Sequence, residues 1–348
     1  MIPGTLRLRQ PSAWQAALAE AITDPAELLE AVGLGLQLLP AARAAARDFP
    51  LRVPRGFVAR MKRGDVDDPL LRQVLPLAVE CREAPGYVPD PVGDLAAMVA
   101  PGVLHKYSGR VLLTTTGACA IHCRYCFRRH YPYGQATAAS PRWAEALAHI
   151  AADPAVSEVI LSGGDPLMLP DKRLSELTQA LEVLPQIRRL RIHTRLPVVL
   201  PERVDEGLMD WLAGTRPKAV VVVHANHPHE IDAAVRQALG RIRDCGATLL
   251  NQSVLLRGVN DDVATLADLS EALFEAGVLP YYLHMLDRVQ GAAHFEVDEA
   301  RARVLMAQLA TRLPGYLVPR LVREEAGANA KTLLTPVASG GFPGDQYR

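Results

Sequence analysis

A chain of 348 residues is too long for one small domain and suits a barrel of about six to eight βα units with an added helical segment, or two domains. Hydrophobic residues at 49% and charged residues at 22% are ordinary for a soluble globular protein, and 38 basic against 38 acidic side chains exclude whole-surface attraction to nucleic acid or anionic membrane. No apolar signal core opens the chain, and its longest apolar stretch, 31–42, is broken by Gln37 and Pro40 and falls short of a bilayer span, so a cytosolic protein is expected.

Residues 1–100 read as a helical segment. Ser12 precedes an apolar-periodic run, Asp24-Pro25 starts a second helix and Pro40 a third, Ala-rich one. A loop rich in Pro and Gly follows, ending at Pro101-Gly102. From residue 110 the pattern changes to short apolar runs alternating with amphipathic helices. Strands are expected over 110–116, 158–162, 190–194, 219–224, 248–253 and 281–285, and helices over 142–152, 172–184, 203–214, 229–244, 262–276 and 297–312. Runs such as AVVVV are apolar on both faces, as covered parallel strands should be. The fold class expected is α/β: a partial (β/α)6 barrel over 101–313, preceded by the helical segment and followed by an extension over 314–348.

Each expected strand ends in a polar cluster: TTTGAC, SGGDP, HTR, HANHPH, NQS, LHMLD. The C-terminal strand ends form the active-site mouth of α/β barrels, so these six ends read as one shared site. Cys119, Cys123 and Cys126 lie there, spaced C-x3-C-x2-C on the loop after the first barrel strand. Three close thiolates can hold three corners of a 4Fe–4S cube and leave one iron open. A zinc site with His122 or His130 as fourth ligand is the alternative, as in a zinc-stabilised nucleic-acid-binding protein. Zinc knuckles present paired Cys-x2-Cys units, and this chain has one such pair only. Cys81 and Cys245 read as ordinary buried thiols.

The glycines of Ser162-Gly163-Gly164-Asp165-Pro166 would let backbone approach a ligand closely, although the same string can be a plain turn. His224, Asn226, His227 and His229 read as a polar rim rather than a metal set. Asn251-Gln252-Ser253 offers amides and a hydroxyl, or a cap. Only five Lys accompany 33 Arg, so candidates for amine chemistry are few. Lys331, in Gly-Ala-Asn-Ala-Lys-Thr, could hold pyridoxal phosphate (PLP) as no Arg could, or be a solvated tail lysine.

The cysteine spacing on this loop resembles the radical S-adenosylmethionine (SAM) superfamily. From about residue 101 to 332 the chain is similar to the lysine 2,3-aminomutase family. The strings that carry this are LHKYSGRVLLTTTGACAIHCRYCFRRH, LSGGDPL, RIHTRLPVVLP, HANHPHE, NQSVLLRGVND, PYYLHMLDRVQGAAHF and the Lys331-Thr332 pair. The resemblance implies a 4Fe–4S cluster on Cys119, Cys123 and Cys126, SAM beside Ser162, Gly163, Gly164, His224 and Gln252, and PLP on Lys331 with Lys106, Tyr107 and Arg110 near it. It implies that Arg128 grips the substrate carboxylate and that Asp287 and Glu324 hold its ε-ammonium. The implied activity makes an isomerase: a radical formed from SAM takes hydrogen from carbon 3 of lysine, and the PLP-bound nitrogen moves from carbon 2 to carbon 3. A guanidinium at one end and two carboxylates at the other select a diamino acid by length, and would face glutamate with like charge.

Two departures point to one branch. Fermentative members have Asp where this chain has Glu324, and they carry a cysteine-bearing C-terminal extension, whereas no cysteine follows Cys245. Together with LRVPRGFVARMKRGDVDDPLLRQVLP and DRVQGAAHF, these resemble the branch that makes (R)-β-lysine for elongation factor P. Its product passes to a ligase similar to a lysyl-tRNA synthetase, and a reducing electron donor is required. A fermentative-type 2,3-aminomutase acting on lysine or another amino acid is the alternative.

Overall fold

The computed structural model describes residues 12–136 and 143–336. Residues 1–11 of the N-terminal segment, residue 142 at the head of the first expected barrel helix, and 337–348 of the extension lie outside the described residues.

Among the described residues the first helices are α1 (Ala13–Ala19), α2 (Pro25–Ala31), α3 (Leu39–Asp48), α4 (Arg55–Val58) and α5 (Pro69–Arg72). Local chemistry fixes their starts. Asp24 and Asp68 accept from the first free backbone N–H groups of α2 and α5, each with Pro at the first helical position. Among the described residues ten strands follow in one sheet whose spatial order is the chain order. The first three, β1 (Met98–Ala100), β2 (Val103–Tyr107) and β3 (Arg110–Thr116), form an antiparallel meander. From β3 the pairing is parallel through β4 (Glu158–Gly163), β5 (Arg189–Thr194), β6 (Lys218–Val223), β7 (Thr248–Val254), β8 (Leu279–His284) and β9 (Arg320–Arg323). The antiparallel β10 (Thr332–Leu333) closes the order.

The helices between the parallel strands include α6 (Tyr133–Ala136), α7 (Trp143–Ala152), α8 (Asp171–Glu182), α9 (Leu196–Val199), α10 (Glu206–Gly214), α11 (Ala233–Asp244), α12 (Val263–Glu275) and α13 (Glu299–Arg312). Six βα units in series are present, as the pattern of apolar runs and amphipathic helices requires. The sheet also reaches beyond them. Pro101-Gly102 is not a loop end but the turn between β1 and β2, where Gly102 has φ 76°. A seventh parallel strand, β9, follows α13 and carries the chain to Glu324 and Lys331.

One apolar core runs from Trp14, Leu28 and Phe57 of the N-terminal helices into the strands and helices of the barrel, and a second packs α12 and α13 against the outward faces of β8 and β9. The N-terminal helices also hold the cysteine loop. Arg124, fully buried, donates Nε to Glu80 at 2.9 Å and Nη1 to the Phe49 carbonyl at 2.7 Å, and Arg129 reaches the same carboxylate at 3.0 Å. His122 donates its backbone N–H to Arg52 O, and its ring pairs with Pro50 O at 2.9 Å. Removing Glu80 would strand two buried guanidiniums. Glu80→Ala is therefore expected to destabilise the fold by about 3–5 kcal/mol. Urea unfolding measures this; a loss well under about 1 kcal/mol would mean the pair is not needed.

Candidate active site

The cysteine loop begins where β3 ends. Cys119, Cys123 and Cys126 lie within electrostatic reach of one another, and burial followed by their mutual repulsion raises Cys119 well above the ordinary thiol range and Cys126 to about 11. Such thiols ask for positive charge. Iron would supply it, since a coordinated thiol is deprotonated outright. Arg195 adds a charged donor, Nη1 to Cys123 Sγ at 2.7 Å, and is itself held by Glu230 at 2.8 Å and Gln73 at 2.6 Å. Among the described residues no three His, Cys, Asp or Glu side chains converge on a single ion. In a cube-shaped cluster each thiolate binds its own iron, so three thiols on one loop fit that group without such convergence.

Gly163 and Gly164 do allow a close approach, but to the protein's own backbone. A Cβ on Gly163, whose φ is +123°, would stand 2.5 Å from Thr116 O, and one on Gly164 would collide with Ala118 O. Gly164 N–H donates to Thr116 O at 2.7 Å and Asp165 N–H to Ala118 O at 2.8 Å, so this turn clasps the root of the cysteine loop. The buried Asp165 carboxylate accepts from Thr194 Oγ1 at 2.7 Å and from the backbone N–H groups of Arg195 and Leu196 at 2.7 and 3.1 Å. Adjacent strand ends are thereby tied together.

A chain of alternating charges runs across the barrel mouth. Arg128, two residues after Cys126, donates Nε to Asp94 at 2.6 Å and Nη1 to Ser162 Oγ at 3.0 Å. Lys106 Nζ meets the other Asp94 oxygen at 2.6 Å, Val92 O at 2.8 Å and Glu324 at 3.1 Å. Glu324 also pairs with Lys331. Against the upward push of burial, Lys331 and Lys106 draw Glu324 down to about 2, and Arg128 and Lys106 pull Asp94 below its usual range. Asp287 has the opposite fate. Burial, and then Glu324, push it up to about 7. Asp287 and Glu324 line a shared cavity of about 630 Å³ with Arg257 and Arg323.

On the inner face of the sheet His224 meets Gln252 at 2.9 Å. Lys331 Nζ lies 6.0 Å from the centre of the Tyr282 ring, and the Arg110 guanidinium lies 4.7 Å from that of Tyr107. Tyr107 is within electrostatic reach of Glu324 and Tyr282, so a lysine amine over an aromatic ring, with Lys106 and the Tyr107–Arg110 pair near it, fits an aldehyde cofactor bearing a phosphate.

The residues proposed from sequence thus fall into joined groups: Cys119, Cys123 and Cys126; Arg128 with Ser162; Lys106, Glu324 and Lys331, with Asp287 beside them; His224 with Gln252. Asp94 was not legible, because it stands alone in a Pro- and Gly-rich loop with no pattern around it. Arg195 had a signal, its place at the C-terminal end of β5. Cys81 is exposed and Cys245 half-buried, against the expectation of buried thiols; Cys81 lies on the rim of a surface cavity with Arg129 and His130.

The Radical SAM superfamily model matches residues 113–269. Over 331 residues the chain is 50% identical to the L-lysine 2,3-aminomutase of Escherichia coli (strain K12), covering 95% of this chain and 96% of that one. It is 45% identical to that of Haemophilus influenzae over 96% of this chain and 98% of the relative. The chain belongs to the lysine 2,3-aminomutase family. It is 32% identical to the member from Clostridium subterminale, over 93% of this chain and 78% of that one. Membership brings with it the 4Fe–4S cluster and SAM of the radical SAM superfamily, and sets aside the zinc-stabilised nucleic-acid-binding alternative. Among the described residues no helix is long and apolar enough to cross a membrane.

Gly163→Ala is expected to displace the cysteine loop, leaving helix content intact while anaerobic reconstitution recovers only a small fraction of wild-type iron. Circular dichroism and iron assay measure both; wild-type iron in the variant would contradict the clasp.

Proposed function

We propose that this enzyme is an isomerase that converts L-lysine to (R)-β-lysine, using the 4Fe–4S cluster, SAM and PLP, and that its product serves the modification of elongation factor P through a ligase similar to a lysyl-tRNA synthetase. The observation that carries the reaction is family membership at 50% identity over nearly the whole chain, joined to a barrel mouth with an amine, a guanidinium and two carboxylates in place.

When bound, the cluster and SAM supply the organic radical and PLP the carbonyl that carries the migrating nitrogen. The chain's own residues bind and orient. Lys331 is the amine that holds PLP, and Tyr107, with Arg110 over its ring, lies within electrostatic reach of Glu324, the partner of Lys331. Arg128, braced by Asp94, receives the substrate carboxylate. Asp287 and Glu324 receive the ε-ammonium, and a bound cation between them relieves the repulsion that pushes Asp287 up. Ser162, Gly163, Gly164, His224 and Gln252, at the ends of β4, β6 and β7, are the SAM neighbours.

Two contrasts support the elongation factor P branch. Identity is 50% and 45% to the Escherichia coli and Haemophilus influenzae relatives against 32% to that of Clostridium subterminale and 28% to that of Bacillus subtilis. Glu324 replaces the Asp that the resemblance assigns to fermentative members, and its longer side chain spans Lys106 and Lys331 together.

Anaerobically reconstituted enzyme, reduced and supplied with SAM and PLP, is expected to turn L-lysine into the R product alone. Chiral chromatography checks this: the S product would place the chain with the fermentative branch, and no β-lysine would sink the reading. Asp287 must be ionised to hold an ammonium, and cation binding releases its proton below its own midpoint near 7. Lysine affinity should therefore rise about tenfold per pH unit as pH approaches roughly 7, then level off. KM measured across that range tests this, and Asp287→Asn should weaken binding and flatten the profile.

A further inference from the structure

The inner face of β8 carries a side chain that the proposed roles leave unused. Tyr282 and His284 alternate with Leu283, which packs outward with Leu305 and Leu309 of α13, so both rings face into the barrel. The parallel register agrees: Tyr282 lies beside Gln252, and His284 beside Val254 and Val322. His284 is only 8% exposed, and its Nε2 has no hydrogen-bond partner among the described residues. Buried imidazole nitrogens are rarely left so, because the group has given up water without replacement.

The surroundings say what would satisfy it. The His284 ring stands edge-on to Tyr282 with centroids 5.6 Å apart, and the Lys331 amine lies over that same Tyr282 ring. Burial, and then the Lys331 charge, keep His284 far below the ordinary imidazole range, so it is neutral. A neutral ring nitrogen beside Lys331 suits an oxygen or nitrogen of a heteroaromatic ligand held by that lysine. It suits an ammonium less well, and Asp287 and Glu324 already offer carboxylates for one. His224, the histidine on the SAM side, spends its Nε2 on Gln252.

We propose that His284 is a positioning residue for PLP, hydrogen-bonding the cofactor held at Lys331 while Tyr282 lies beside it. This rests on Lys331 being the PLP lysine. The test uses His284→Phe, which keeps a packed ring and removes the nitrogens, and His284→Gln, which restores a polar atom. PLP affinity is read by titrating the visible absorbance of the bound cofactor, with borohydride fixation and peptide mapping at Lys331, iron content, and the melting temperature of the cofactor-free protein. The Phe variant should bind PLP at least about tenfold more weakly with a shifted absorption band, while melting and iron content stay at wild-type level; the Gln variant should recover most of the affinity. A Phe variant with wild-type affinity and spectrum would overturn the inference, as would one that raised only KM for lysine, since the nitrogen would then face substrate. Loss of PLP with an equal loss of melting temperature in both variants would also overturn it, by making His284 a packing residue. If the wild-type protein fixes no PLP on Lys331, the reading beneath it fails, which the wild-type control alone reveals.

Discussion

Asp94 stands between two cations that arrive from different parts of the chain, Arg128 from the cysteine loop and Lys106 from β2. Buried charges are tolerated only when paired and hydrogen-bonded, so this carboxylate fixes the distance between the loop and the meander. Lys106 passes the constraint to Glu324, and Glu324 passes it to Lys331 just before β10. Alternating charges therefore join the group that would hold the cluster to the group that would hold PLP. Radical chemistry between two cofactors needs that fixed separation, because misplacement by about 1 Å can cost on the order of a hundredfold in rate.

Behind this chain lies a second layer that braces the cysteine loop from outside. Glu80 gathers Arg124 and Arg129, Glu230 gathers Arg195, and Asp165 gathers the backbone at the end of β5. Through these contacts the N-terminal helical segment supplies the carboxylate and carbonyls that hold the loop against the barrel. The clasp at Gly163 and Gly164 does the same from the β4 side, where no side chain would fit.

Much of this was legible in the residues. Apolar runs of strand length located all six of the expected barrel strands, and the polar group at the end of each located the mouth, because side-chain period and strand direction are local properties. The cysteine spacing was equally local. What escaped lies in short or distant pairing. β1 and β9 have three and four residues, too few for a period, and Pro101-Gly102 masked a hairpin turn as a loop end. The Asp94 pairs join residues 34 and 12 apart in sequence, and Lys106 with Glu324 spans 218, separations at which no pattern survives. The paired glycines suggest room for a ligand or a plain turn, and the backbone they admit is the cysteine loop of the same chain. Substrate and cofactor roles came from resemblance, since isolated acidic residues such as Asp287 carry no signal of their own.

In the proposed reaction the cysteine loop and the Lys331 end of the barrel act on one lysine molecule in one chain of radical steps. Incubating the reduced, reconstituted enzyme with PLP, L-lysine and SAM deuterated on its 5′ carbon tests it directly by mass spectrometry. Deuterium is expected both in β-lysine and in recovered lysine. β-Lysine formed without any label would mean that the two ends do not share one radical sequence.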